Sequence, residues 1–187
     1  MKFEVRSVLV VEEVDNGLGG LRFHEEQVEK PYIKDYDSYE DLYSKEDGEK
    51  GYGPQSWPVH FDISNWYIYM AFDQRQPVGG AAIAYNTDGV NMLEGRDDIA
   101  VLWDIRVHPD HAGKGIGTVL FQHAVDWSKS KGCSQLKIET QNVNVPACQF
   151  YVKQGCHLGQ IHRYGYYGCY GHPQVGHEVM LIWYYDL

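Results

Sequence analysis

The segment Gly113-Lys114-Gly115-Ile116-Gly117-Thr118 sets three glycines around one lysine, between an apolar run and an amphipathic one. Glycine lets a backbone approach a ligand closely and take angles that other residues avoid. If the second run is a helix, the amides of its first turn have no intrahelical acceptor. With the helix dipole behind them they favour an anion. The chemistry indicated is therefore phosphate or pyrophosphate binding. A nucleotide P-loop requires GxxxxGK followed by Ser or Thr; here Lys114 is followed by Gly115, and that class fails. A dinucleotide fold uses GxGxxG, whereas the spacing here is GxGxG, and its acidic partner about 20 residues on would be Glu139, a weak match. The pyrophosphate of coenzyme A is the third class. The plain alternative is a glycine-rich turn that binds nothing, and the loop alone does not separate these.

Other chemistry finds less support. His108 and His111 are three residues apart, but Pro109 between them opposes helical metal-ligand spacing, and the remaining histidines are scattered, so no metal is expected. The four cysteines (Cys133, Cys148, Cys156, Cys169) have no CxxC spacing and no evident activating histidine. They read as reduced thiols in a cytoplasmic protein.

The elements that must hold the loop follow from periodicity. Ile99 to His108 is the strongest strand pattern, with Ile99, Val101, Trp103, Ile105 and Val107 on one face and Ala100, Leu102, Asp104 and Arg106 on the other. After the loop a helix is expected to about Lys131, with Ile116, Leu120, Ala124 and Trp127 near one face and Gly132 to end it. Leu136 to Thr140 is a further strand. Pro146 to Gln154 is a short helix with proline at its start and Gly155 at its end. Upstream, Phe3 to Val14 reads as a strand closed by a turn at Asp15-Asn16-Gly17. Trp66 to Phe72 and Pro77 to Tyr85 form an antiparallel hairpin. The acidic, tyrosine-rich stretch Glu25 to Gly53 reads as short helices, with a loop from Glu46 to Pro58. Two strands, about Leu158 to Tyr166 and Glu178 to Tyr185, close the chain. The tyrosines from 164 to 170 fit a strand and turn, or a loop over an acceptor. The order implies one mixed α/β (α+β) domain over all 187 residues.

Composition bounds the partners. The formal net charge is −10, which opposes nucleic acid and suits a small cationic amine, or merely keeps the protein soluble. No apolar run approaches the roughly 18 residues of a membrane span, and Met1 to Arg6 lacks the apolar stretch of a signal peptide, so no membrane partner is expected.

Two linked motifs carry a resemblance. Asp104-Ile105-Arg106-Val107-His108-Pro109, followed by Gly113-Lys114-Gly115-Ile116-Gly117-Thr118-Val119-Leu120, resembles the signature region of the GNAT N-acetyltransferase superfamily. Asn142, Asn144, Ala147, Phe150-Tyr151 and Gly155 match its second pattern. More narrowly, Ile138-Glu139-Thr140-Gln141-Asn142, Ala147-Cys148, Phe150-Tyr151-Val152-Lys153 and the tail Glu178…Ile182-Trp183-Tyr184-Tyr185 look like the streptothricin acetyltransferase branch. The superfamily loop usually has Arg or Gln where this chain has Ala112, so cofactor binding would lean more on backbone amides.

The resemblance implies a GNAT fold, with a mixed sheet of about seven strands and about four helices. It implies acetyl transfer from acetyl-coenzyme A to a primary amine. The strand at Ile105, Arg106 and Val107 would bond the pantetheine through its backbone, the pyrophosphate would lie over Ala112 to Thr118, and Asn144 would contact the cofactor arm. Tyr151 would be the general acid toward the leaving thiolate; a phenol, with a reference pKa of about 10, keeps its proton at neutral pH. An alkylammonium acceptor, with a pKa of about 10.4 if lysine-like, must lose a proton before attack. Asp104 and Glu139 could each bind the cation or take its proton, while Asp104 could instead simply pair with Arg106. The implied acceptor is streptothricin, acetylated on its β-lysine amine, which would confer antibiotic resistance. A homodimer is a family-level expectation. A peptide or polyamine acetyltransferase, a non-catalytic acetyl-coenzyme A-binding domain and a dinucleotide-binding protein are the alternatives.

Overall fold

The computed structural model describes residues 2–35, 54–166 and 178–187. Among the described residues there are eight strands: β1 (Lys2–Glu13), β2 (Leu21–Asp35), β3 (Tyr67–Asp73), β4 (Gln76–Tyr85), β5 (Ile99–Val107), β6 (Gln135–Gln141), β7 (His157–His162) and β8 (Met180–Asp186). Three α-helices accompany them among the described residues: α1 (Trp57–His60), α2 (Ile116–Ser130) and α3 (Val145–Gln154). β1 and β2 form a separate antiparallel hairpin, and the six-stranded sheet has the order β3-β4-β5-β6-β8-β7. The mixed α/β expectation holds, although the strands divide between a pair and a six-stranded sheet rather than forming one sheet of seven.

The hairpin corrects the helical expectation for the stretch beginning at Glu25. Residues up to Asp35 are strand, and residues 36–53 lie outside the described residues, as do tyrosines 167 and 170. The misreading has a cause in the register. Val5 pairs with Tyr32 but Ser7 pairs with Gln27, so Val28 to Pro31 bulge out opposite Arg6. Pro31 has no N–H to give a ladder, and the bulge interrupts the two-residue alternation that would have marked a strand.

The chain divides into two compact units: residues 1–57, 140–150 and 159–181 in one, and residues 58–139, 151–158 and 182–187 in the other. The first holds the β1–β2 hairpin. Buried Asn142 pins it: its Nδ2 donates to the Leu9 carbonyl at 3.0 Å, and its Oδ1 accepts from the Val179 N–H at 2.9 Å. Lys34 of β2 is ion-paired with Glu178, both side chains largely buried.

In the second unit the core is built on β4 and β5. Ala81 to Ala84 and Ile99 to Leu102 are buried on both faces of the sheet. α2 packs across β3, β4 and β5, burying Leu120, Phe121, Ala124, Val125 and Ser128. The expected face is thus widened by Phe121, Val125 and Ser128, while Trp127 is only half-buried. Lys137, a cation in the middle of β6, is 4% exposed; it donates to Glu94 at 2.5 Å and lies 5.7 Å from the Tyr184 ring centroid. That ion pair holds the Glu94 carboxyl below its ordinary range.

Candidate active site

The site is built around one extra residue in β5. Along the β4–β5 ladder Ala82 pairs with Asp104 while Ile83 pairs with Leu102, so Trp103 is a bulge. A bulge bends its strand and sharpens its twist. On its other side β5 runs parallel to β6 through four pairs, from Ile99↔Gln135 to Leu102↔Ile138, and the paired register stops there. β5 itself continues to Val107, still laddered to β4 through Gly79 to Ala82. The Trp103 ring is braced at 5.3 Å by both Phe61 and Trp66, and the Trp66 indole N–H donates to Thr87 Oγ1 at 3.0 Å. The expected alternation of faces along β5 is therefore broken at Trp103.

From the end of β5 the chain turns through a short 3-10 segment, Pro109–His111, tied by the His108 N–H to the Val78 carbonyl at 2.8 Å. Gly113 (φ 75°) and Gly115 (φ 83°) both take left-handed backbone conformations. A Cβ at either would meet no heavy atom of the described residues within 4 Å, so among these residues conformation rather than crowding calls for glycine there. Gly115 is the N-cap of α2 and offers no side-chain cap to its first turn. The amides of Ile116, Gly117 and Thr118 stand at the positive end of a 15-residue helix. Ala112, Gly113, Lys114, Gly115 and Thr118 are all exposed. An open surface, glycines with no occupied space above them and an uncapped helix start suit a pyrophosphate.

Gly79 is the residue that sequence reasoning passed over. A Cβ there would lie 2.8 Å from the Arg106 carbonyl oxygen, 3.3 Å from Leu120 Cδ1 and 3.4 Å from Ile116 Cγ2. Its lack of a side chain lets α2 sit close on the β4–β5 ladder. The doublet Gly79-Gly80 inside a strand pattern was the available signal.

The ionisable residues are placed as follows. The Arg106 Nε donates to both oxygens of Asp104, at 2.9 and 2.7 Å, and its Nη2 lies 2.7 Å from Oδ2. The Asp104 side chain is 16% exposed. Glu139, half-buried, follows the last laddered residue of β6 as Asp104 follows the bulge of β5. Tyr151 is buried in α3, its ring 6.4 Å from that of Trp183, and its carbonyl accepts from the Cys156 N–H where Gly155 (φ 93°) ends the helix. Among the described residues the buried indole N–H of Trp183 has no hydrogen-bond partner.

Described within the first unit, Asn144 is buried and caps α3: its Oδ1 accepts from the Ala147 N–H at 3.3 Å and its carbonyl from the Cys148 N–H at 3.1 Å. Burial pushes the thiols of Cys148 and Cys156 up to about 12, so neither is a thiolate at neutral pH.

Known proteins resemble this chain. The acetyltransferase (GNAT) family model matches residues 29–156. Streptothricin acetyltransferase A of Bacillus subtilis is 27% identical over 169 residues, covering 89% of this chain and 80% of that protein. The streptothricin acetyltransferase of Escherichia coli is 37% identical over 89 residues, 48% of this chain and 49% of that one. A crystal structure from Bacillus anthracis, described as a streptothricin acetyltransferase in complex with acetyl coenzyme A, superposes with a TM-score of 0.70 at 25% identity, covering 100% of this chain and 89% of that one. With a glycine-opened helix at the end of a bulged strand, and the family match spanning both, the chain belongs to the acetyltransferase (GNAT) family and is an acetyl-coenzyme A-dependent N-acetyltransferase.

Proposed function

We propose that the protein acetylates a primary amine of a small cationic acceptor, and that this acceptor is streptothricin, modified on its β-lysine amine. The observation that carries the acceptor is the similarity to streptothricin acetyltransferase A over 89% of the chain. The net charge of −10 supports it by attracting a polycation.

In this reading the stretch Ile105 to Val107, beyond the β6 ladder, hydrogen-bonds the pantetheine arm through its backbone. The loop from Ala112 to Thr118 receives the pyrophosphate on its amides, and Asn144 steadies the arm while capping α3. A backbone N–H near Val107 faces the thioester oxygen and stabilises the charge it gains. Glu139, where the β5–β6 ladder ends, takes the proton from the acceptor ammonium. The freed amine forms a C–N bond to the acetyl carbon, Tyr151 gives its proton to the thiolate that departs as the C–S bond breaks, and the proton then lost by the acylated nitrogen restores Tyr151. Asp104 and Arg106 keep the strand rigid beside the reacting atoms. The protein works in the cytoplasm; none of the described helices is long and apolar enough to cross a membrane.

The test is thiol release from acetyl-coenzyme A with streptothricin, lysine, polyamines and peptides as acceptors. Streptothricin is expected to give the highest kcat/KM. Preference for a peptide N-terminus would overturn the acceptor, and no release with any amine would overturn the mechanism.

A further inference from the structure

Trp183 lies on β8, the neighbour of β6 in the sheet. It is 5% exposed, and among the described residues its indole N–H has no hydrogen-bond partner. Trp66, similarly buried, gives its N–H to Thr87 Oγ1 at 3.0 Å. A buried donor with no acceptor has given up water for nothing, and phenylalanine would bury an aromatic ring there without that cost. The ring beside Trp183 is that of Tyr151, with centroids 6.4 Å apart and planes tilted by 42°. On the reading that Tyr151 is the general acid, we propose that Trp183 is a positioning residue whose N–H donates to the Tyr151 phenolate formed when the proton passes to the departing thiolate.

The acceptor that this N–H needs is made by the reaction. Before the transfer the phenol oxygen is neutral. Once its O–H bond has broken and the S–H bond of coenzyme A has formed, that oxygen carries the negative charge. Tyr151 is itself 5% exposed, so water is poorly placed to solvate the charge. A centroid spacing of 6.4 Å is one that a hydrogen bond between the polar edges of two such rings can span, and bonds of this kind often tighten only in the reacting complex. A hydrogen bond to a charged oxygen is roughly twice as strong as one to a neutral oxygen. The contact therefore gains strength as the charge develops, and only contacts that do so speed the chemical step. The charge is temporary: the acylated nitrogen returns its proton to Tyr151, and the N–H is idle again.

The test is a double-mutant cycle. Trp183→Phe removes the N–H together with part of the ring system. The isostere β-(3-benzothienyl)alanine, placed at the same position, keeps the bicyclic shape and replaces the N–H by sulfur. The isostere should lower kcat about tenfold with KM for acetyl-coenzyme A unchanged. Its Tm should match or exceed that of the unaltered protein, because no bond is lost at rest. Combined with Tyr151→Phe, either change at position 183 should lower kcat no further than Tyr151→Phe does alone. Full kcat with the isostere overturns the proposal. So does an equal loss in both backgrounds, since the effect would not pass through the phenol. A fall in Tm would mean that the N–H is engaged at rest, and a rise in KM that it touches the acyl donor; either overturns it too. Full activity of Tyr151→Phe would remove the general acid itself. If Tyr151→Phe is slow and the cycle is additive, the role of Trp183 alone is wrong.

Discussion

Gly79→Ala isolates the contact that brings the helix to the strand. The added methyl would stand 2.8 Å from the Arg106 carbonyl oxygen, a backbone atom that cannot swing away, and 3.3–3.4 Å from Leu120 and Ile116 of α2. Relief requires the first turn of α2 and the end of β5 to separate by several tenths of an ångström. Overpacking of this kind costs about 1–3 kcal/mol. For a chain of this size that is a fall in Tm of roughly 2–12 °C, measurable by calorimetry or by urea unfolding at constant m-value. Because the displaced turn is the one proposed to hold the pyrophosphate, KM for acetyl-coenzyme A should rise with it. Gly113→Asn is the control. Its φ of 75° is one that asparagine tolerates, and no atom lies within 4 Å of a Cβ, so it should cost less than Gly79→Ala. At position 79 asparagine should be worse than alanine. If Gly79→Ala melts with the unaltered protein, or if Gly113→Asn loses as much, the close approach at Gly79 is not what requires glycine.

Tyr151→Phe should lower kcat by about 10²-fold or more with KM for acetyl-coenzyme A little changed, as loss of a general acid requires; full activity would remove the assignment. Asp98 accepts from Arg96 at 2.8 and 2.7 Å and from the Ser134 hydroxyl at 2.8 Å, which lowers its pKa to about 2. Its contribution is present above the ordinary carboxylate value and is lost as pH falls through about 2, so the Tm gap between the protein and Asp98→Asn should close on acidification from pH 4 to 2. Glu178→Gln leaves the Lys34 ammonium buried without its carboxylate and should cost about 3 kcal/mol in urea unfolding, whereas pairing Lys34→Met with Glu178→Leu should recover most of it.

The loop, its strand and its helix were legible because each is written in local terms. Glycines mark the left-handed positions, Gly132 ends α2, and Pro146 and Gly155 bracket α3 within a residue or so. The hairpin partner β2 was not legible beyond Glu25, because its pairing jumps four residues around Pro31 and a register belongs to two strands at once. Trp103 was read as one more alternating residue for the same reason: nothing near it in the chain tells that β4 will skip it. The Asp104–Arg106 pair was foreseen as an alternative and is formed. Asn144 shows the reverse case, a residue singled out for ligand contact whose side chain also has a local structural task at the start of α3.

The bulge at Trp103 makes the length of β5 matter more than its composition. A strand with one residue fewer would satisfy the same hydrophobic pattern and could go on pairing with β6 past Ile138, closing by ordinary sheet hydrogen bonds the backbone that a ligand is proposed to use. Substitutions at position 103 trim the aromatic brace but keep the count. A single-codon deletion there changes the count, and would turn an open strand edge into a more regular sheet with no place for an acyl donor.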